Sequence, residues 1–102
     1  MTVQEILQEC IDVMDERGKQ YNDVFQNLKC TSTILKSEFK LDINSDEIVK
    51  VMISLKKARA KNGGYKSDTY LDLINYYAIL EAYYRNNKKD NDSNPVNNDT
   101  NI

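Results

Sequence analysis

The fold is decided by the stretch SDTYLDLINYYAILEAYYR, residues 67–85. Ser67 can cap the start of a helix by accepting a hydrogen bond from its first turn. The residues that recur at helical spacing form one stripe, comprising Leu71, Ile74, Tyr77, Ala78 and Glu81, with Tyr70, Leu73 and Leu80 alongside. The pattern predicts a helix that needs other helices to cover its apolar side.

The preceding segment predicts the nearest such neighbour. Asn44 or Ser45 can cap a helix, and Asp46 and Glu47 place negative charge in its first turn, where the helix dipole favours it. Gly63-Gly64 ends this helix near residue 61. The short loop that follows predicts that it lies antiparallel to the helix over 67–85. Its predicted apolar face consists of Ile48, Val51, Met52, Leu55 and Ala58.

Two more helices are predicted upstream. Thr2 and Glu5 have capping-box spacing before a helix over residues 3–17, which Gly18 is expected to end. Asn22 or Asp23 can cap a second helix that runs to about residue 39. The segment 31–33, Thr-Ser-Thr, contains weak helix formers, so a bend or break is expected there.

The composition completes an all-α prediction with one domain. Of 102 residues only one is Pro and three are Gly, which is too few for the turns of a many-stranded β fold. We expect a four-helix, bundle-like domain over residues 1–86. Residues 87–102 are rich in Asn and Asp and poor in apolar side chains, which predicts a disordered tail.

Charge and cysteine content exclude several classes of function. The net charge of −2 gives no global basic footprint, so general nucleic-acid binding is not expected, whereas a local basic patch is compatible with the sequence. No apolar run approaches the roughly 18 residues that a membrane span needs, and the acidic first residues do not resemble a signal peptide. Cys10 and Cys30 are isolated and there is no His, so neither a disulfide scaffold nor a zinc site is indicated. A cytoplasmic location is expected.

The strongest candidate site runs from Lys56 to Tyr76. Asp68 and Asp72 are four residues apart on one side of a helix, where oxygen ligands can hold a divalent cation such as Mg²⁺. Lys56 and Arg59 can meet phosphate oxygens nearby. The alternative is purely structural: Asp68 is first-turn charge, and Asp72 pairs with Arg59 in a partly buried salt bridge.

Two other clusters have plain structural explanations. The segment RGKQYND, residues 17–23, sets a cation, a ring and an acid around a turn that can bind a base or a phosphate, although such turns are more often structural. Tyrosines at helical spacing, such as Tyr76 and Tyr77, are more often core and rim residues than a stacking platform for bases.

Three segments together resemble a family of small phage and prophage proteins known only as a domain of unknown function. They are RGKQYND (17–23), DEIVKVMISLKKAR (46–59) and SDTYLDLINYYAIL (67–80). The resemblance spans about residues 6–80. The positions that match the family pattern are Arg17, Tyr21, Asp23, Lys56, Arg59, Asp68, Asp72 and Tyr76.

The helix containing Asp72 is also distantly similar to the last metal-binding helix of MazG-like nucleotide pyrophosphohydrolases. That resemblance implies Mg²⁺ held by acidic residues from two helices, and a nucleoside triphosphate as substrate. As a hypothesis for this chain, the metal ligands are Asp68 and Asp72 with Glu47 or Glu9. It also implies a homo-oligomer, since such proteins complete their bundle by dimerising. The chain departs from the pattern at Gln4 and Gln8, where the first acidic motif would lie, and in the Asp68-x-x-x-Asp72 spacing.

Two classes of function follow. In the first, the protein is a phage-type MazG-like protein that binds a nucleotide with a divalent metal and, if it is an enzyme, releases pyrophosphate. In the second, it is a non-enzymatic phage accessory protein that binds a host protein or sequesters a nucleotide. Convergence of four carboxylates on one pocket would favour the enzyme. Neutralisation of the acids by Lys and Arg in a closed network would favour the binding protein.

Overall fold

The computed structural model describes residues 1–21 and 23–87, and these residues form four α-helices without a β-strand. The all-α prediction is therefore confirmed. The helices are α1 (Val3–Tyr21), α2 (Val24–Phe39), α3 (Ser45–Gly63) and α4 (Ser67–Asn86). The predicted disordered tail lies outside the described residues, apart from Asn87, which forms a turn after α4. No helix in the described ranges is long and apolar enough to cross a membrane.

Helix α4 lies at the centre of the arrangement. It packs most extensively against α3 and also against α1, while α2 packs mainly against α3. Contacts at both ends show that α3 and α4 are antiparallel: Tyr84 donates a hydrogen bond to Asp46, and Lys56 contacts Asp72. This orientation confirms the prediction from the short connecting loop. It brings the C-terminal half of α3 beside the N-terminal half of α4.

The hydrophobic core is small and lies between α2, α3 and α4. Val49 and Ile53 supply its α3 side, where they are 2% and 5% exposed. Each such side chain stabilises the fold by about 1.5–3 kcal/mol through burial. The buried cluster consists of Leu28, Ile48, Val49, Ile53, Ile79 and Leu80.

The starts of α1, α2 and α3 follow the predicted capping, whereas the predicted cap of α4 is wrong: Ser67 is the first helical residue, and the N-cap is Lys66, which makes no side-chain capping bond. The backbone N–H of Thr2 donates to Glu5 Oε1 at 2.7 Å, and the N–H of Glu5 donates to Thr2 Oγ1 at 3.1 Å. Asp23 accepts from the N–H of Phe25 at the start of α2. The N-cap of α3 is Asn44, whose N–H donates to Glu47 Oε1 at 2.9 Å. These contacts provide acceptors for backbone N–H groups at the helix starts that have no acceptor within the helix.

Two predicted helix interruptions are wrong. Helix α1 continues past Gly18 to Tyr21, because an interior glycine costs only about 1 kcal/mol and does not force a stop. Helix α2 is continuous through residues 31–33. The hydroxyls of Thr31 and Thr33 donate to carbonyls one turn earlier, as expected for these residues, without breaking the helix. Ser32 instead donates to the carbonyl of Ile43 at 2.6 Å and so ties α2 to the segment before α3.

The predicted faces of α3 and α4 are also partly wrong. Val51 and Leu55 are 62% and 52% exposed, whereas Val49 and Ile53 are buried. Apolar residues occur around most of α3, so the choice of buried face is made by packing against α2 and α4 rather than by periodicity. On α4 the buried face carries Thr69, Asp72 and Asn75 together with Ile79 and Leu80, while Tyr77, Ala78 and Glu81 are exposed.

Candidate functional site

The candidate site is organised by the carboxylate of Asp72, which is 6% exposed. Asp72 Oδ1 lies 3.0 Å from Arg17 Nη1, and Asp72 Oδ2 lies 2.7 Å from Lys56 Nζ. Arg17 comes from α1, Lys56 from α3 and Asp72 from α4, so one carboxylate joins three helices. Burying a lone carboxylate is expensive, and the two cations offset that cost.

The two cations differ in their access to solvent. The side chain of Lys56 is 15% exposed, so its ammonium is held largely inside the protein. The side chain of Arg17 is 50% exposed, and its guanidinium uses one nitrogen for Asp72. Arginine carries five N–H donors in a planar fork. Arg17 can therefore contact Asp72 and an anion in solution together.

Asp72 forms part of the wall of a cleft of about 700 Å³ between the C-terminal turns of α3 and the N-terminal turns of α4. The predicted phosphate-binding residues Lys56 and Arg59 and the predicted metal ligands Asp68 and Asp72 all line it. The structure thus brings these four positions together. The full lining is Arg17, Leu55, Lys56, Ala58, Arg59, Asn62, Gly63, Lys66, Asp68, Thr69 and Asp72.

A second, more apolar cavity of about 420 Å³ shares Arg17 with the cleft. Met14, Tyr76 and Ile79 supply apolar surface, and Asp23 also lines it. Asn75 borders this cavity and donates from its side-chain amide to the carbonyl of Cys10 at 3.2 Å. Seven of the eight positions that matched the phage family pattern therefore line one cavity or the other; the side chain of the eighth, Tyr21, lies outside the structural description.

Two of the predicted metal ligands lie elsewhere. Glu47 accepts the hydrogen bond that caps α3, at the end of that helix remote from Lys56. Glu9 is exposed on α1 and lines neither cavity. Within residues 1–21 and 23–87 no three His, Cys, Asp or Glu side chains form a group that could hold a metal ion. The structure brings only Asp68 and Asp72 of the predicted set to one cleft.

The prediction that Asp72 forms a salt bridge with Arg59 is wrong. Asp72 pairs with Lys56 and Arg17. Arg59, three residues after Lys56, is exposed and has no ion pair with any described residue. Asp68 is likewise exposed and has no ion pair in the described part of the chain. Arg59 and Asp68 therefore present their charges to the cleft itself.

Among the lining residues that were not predicted as site residues from sequence, Thr69 and Lys66 bear on anion binding. Thr69 is 7% exposed, and its hydroxyl has no hydrogen-bond partner among the described residues. Lys66 is the N-cap of α4 and makes no side-chain capping bond. The available signal was spacing: Thr69, Asp72 and Tyr76 follow i, i+3, i+7 and so share a face of α4.

The architecture and the site define an all-α domain in which a buried acid–base network borders a cationic cleft. The chain belongs to the family described as Domain of unknown function (DUF6378), which matches residues 5–84. It is 29% identical over 69 residues to the Gene 55 protein of Mycobacterium phage D29. The aligned part is 68% of this chain and 46% of that protein, so this chain spans less than half of the relative's length.

These comparisons confirm the expected relation to a phage domain of unknown function. They do not extend to MazG-like pyrophosphohydrolases. No solved structure matches the chain.

Proposed function

We propose that the protein binds a nucleotide, with its phosphates in the cleft beside Asp72. The observation that carries the proposal is the network in which Asp72 holds Lys56 at 2.7 Å and Arg17 at 3.0 Å. The carboxylate holds the two cationic side chains in fixed positions before an anionic ligand binds. Because these side chains need not be ordered again on binding, the entropic cost of binding is lower. The half-exposed guanidinium of Arg17 has the donor geometry that phosphate requires.

The charge of the cleft supports an anionic ligand. Its lining contains four cations, Arg17, Lys56, Arg59 and Lys66, against the two carboxylates of Asp68 and Asp72. The cleft lining therefore has two more positive than negative charges, although the net charge of the whole chain is −2. A concave surface concentrates such a potential and attracts ligands of opposite sign.

The first turn of α4 adds neutral donors to the same cleft. Thr69 lines the cleft, and its hydroxyl makes no hydrogen bond to a described residue, so it can donate one to a phosphate oxygen. The N-cap Lys66 leaves the start of α4 without a side-chain cap. Backbone N–H groups at a helix start favour anions when cations stand beside them.

The second cavity supports a nucleotide over inorganic phosphate. It adjoins the cleft at Arg17, and its lining by Met14, Tyr76 and Ile79 offers apolar and aromatic surface. A ligand that fills both cavities needs a charged part and a planar aromatic ring that can pack against apolar side chains. Nucleotides combine a phosphate group with such a ring.

The magnesium site remains a prediction. Asp68 and Asp72 line one cleft, but both oxygens of Asp72 contact cationic side chains. The proposal accordingly assigns binding to the cleft and derives no hydrolytic step through a metal. Of the two predicted classes, this arrangement supports the accessory protein that sequesters a nucleotide.

The test is calorimetric titration with nucleoside mono- and triphosphates and with pyrophosphate, each with and without magnesium. Arg59→Gln removes an exposed cation of the cleft and leaves the Asp72 network intact, so we expect an affinity loss of about tenfold. Arg85→Gln is the matched control, because Arg85 is exposed and pairs with Glu81 near the C-terminal end of α4. Equal affinities for both variants, or no nucleotide binding by the wild type, would refute the proposal.

A parallel assay of pyrophosphate release across the nucleoside triphosphates separates the two functional classes. Binding without turnover is the expected result for a sequestering protein. Magnesium-dependent turnover that Asp68→Asn abolishes would establish the enzyme instead.

A further inference from the structure

We propose that an exposed stripe of tyrosines and lysines across α3 and α4, separate from the cleft, binds single-stranded nucleic acid. The stripe, called here the Tyr–Lys stripe, consists of Tyr65, Tyr70, Tyr77 and Tyr84 with Lys50 and Lys57. None of these residues lines the cleft or the apolar cavity described above.

The tyrosines of the stripe share one face of α4. Tyr70, Tyr77 and Tyr84 are spaced by seven residues, which is two helical turns, so their side chains lie in a row about 10 Å apart. They are 47%, 49% and 42% exposed. Tyr65, in the loop before α4, is 77% exposed and extends the row.

Contacts among the residues of the stripe hold the tyrosine rings in defined positions. Tyr65 and Tyr70 stack with ring centroids 5.7 Å apart and planes inclined by 24°. Lys57 Nζ lies 5.9 Å from the ring centre of Tyr77, and Lys50 Nζ lies 6.0 Å from that of Tyr84. Each of these two lysines therefore lies over a ring of the stripe, so positive charge and aromatic surface are adjacent. Bases stack on aromatic faces, and phosphates between the bases contact the cations.

The charge around the stripe favours a polyanion at the Tyr65 end. Residues 50–66 contain six cations and no acidic residue. These cations are Lys50, Lys56, Lys57, Arg59, Lys61 and Lys66. Three of them, Lys56, Arg59 and Lys66, line the cleft, and Lys50 lies over Tyr84, which leaves Lys57 and Lys61 as exposed cations outside the cleft. At the other end of the stripe Asp46 accepts a hydrogen bond from Tyr84, and Glu81 pairs with Arg85. We therefore expect Tyr65, Tyr70, Tyr77 and Lys57 to contribute most of the affinity, and Lys50 beside Tyr84 to contribute less.

The Tyr–Lys stripe is expected to bind single-stranded rather than double-stranded nucleic acid. A duplex offers its phosphates but keeps its bases stacked inside, whereas a single strand offers both groups to an open surface. Stacking tolerates any base, so the expected recognition is independent of sequence. Contacts between lysines and phosphates release counterions, so binding should weaken steeply as the salt concentration rises.

The test is fluorescence anisotropy of a labelled oligothymidylate of about 15 nucleotides at low salt. The double variant Lys50→Gln, Lys57→Gln removes the cations of the stripe and should weaken binding by about tenfold. The control Lys36→Gln, Lys40→Gln removes the same charge from exposed lysines of α2 and at its end, and should change the affinity by less than about twofold.

A second pair of variants tests stacking. Tyr70→Leu and Tyr77→Leu should each weaken binding by about fivefold or more, whereas the corresponding Phe variants keep the ring and should bind like the wild type. Circular dichroism of each variant checks that the helices persist. Absence of binding, equal losses in the stripe and control variants, or a preference for duplex overturns the proposal.

Competition distinguishes the stripe from the cleft. Pyrophosphate in excess should leave the oligonucleotide bound, and Arg59→Gln should affect nucleotide binding more than oligonucleotide binding. An oligonucleotide that pyrophosphate displaces, with no effect of the tyrosine variants, would place the strand in the cleft and end this inference. The nucleotide proposal would survive that result.

Discussion

Lys56 and Asp72 form an ion pair in which the Nζ–Oδ2 distance is 2.7 Å and the side chains are only 15% and 8% exposed. Removing one partner of a buried pair leaves the other charge uncompensated. Asp72→Asn should therefore lower the free energy of unfolding by about 3 kcal/mol, with or without magnesium. Thermal and urea unfolding, each at zero and millimolar magnesium, measure this effect.

Asp68→Asn is the control for that experiment, because Asp68 is exposed and lines the same cleft. Its effect should stay within about 0.5 kcal/mol. A wild-type protein that magnesium stabilises, combined with an Asp72→Asn variant that has lost only the magnesium effect, would contradict the structural role and support the metal site.

Ile53 and Leu55 test which face of α3 is buried. Ile53 is 5% exposed and belongs to the core, so Ile53→Ala should cost about 2–5 kcal/mol. Leu55 is 52% exposed, so Leu55→Ala should cost less than about 1 kcal/mol. Urea unfolding of both variants gives the comparison. Similar costs would mean that α3 is rotated from the orientation described.

Gly18 and Gly64 should respond oppositely to alanine. Gly18 lies inside α1, and an added Cβ meets no atom within 4 Å, so Gly18→Ala should stabilise the protein by about 0.5–1 kcal/mol. Gly64 ends α3 with φ 77° and ψ −165°, a region that alanine rarely adopts. Gly64→Ala should destabilise by about 1–3 kcal/mol. Melting temperatures of the two variants that shift in the same direction would contradict this prediction.

The two thiols should differ in reactivity. Cys10 is 3% exposed, and burial, followed by the charge of Glu9, raises the pKa of its thiol. Cys30 is exposed. A thiol reagent at neutral pH should therefore label Cys30 quickly and Cys10 only after unfolding, because the thiolate is the reacting species. Cys30→Ser should leave the folded protein almost unlabelled. Rapid labelling of that variant would show that α1 separates readily from α4.

Local signals in the sequence predicted the helices and part of the site. The caps at Thr2, Asp23 and Asn44 are short-range features whose chemistry is complete within four residues. The short loop after α3 was enough to predict that Lys56 and Asp72 lie near each other, because helices joined by such a loop pack side by side and antiparallel.

The remaining features depend on contacts between distant parts of the chain. Arg17 and Asp72 are 55 positions apart, and no local spacing specifies how α1 packs against α4. The sequence suggested a partly buried salt bridge for Asp72 but not its partners, because Arg17 and Lys56 come from two other helices and periodicity does not specify which side chains meet. The resemblance singled out Arg17 but did not indicate its contact with Asp72.

The central position of α4 has a consequence for synthesis on the ribosome. Helices α1 and α3 both pack on α4, yet α4 follows them in the chain and leaves the ribosome after them. At about 5–20 residues per second, translation of its 20 residues takes roughly 1–4 s. Until α4 has followed them out of the exit tunnel, Ile53 on α3 and Cys10 on α1 lack the helix that packs against them. The nascent chain therefore presents apolar surface to chaperones until its last described helix emerges.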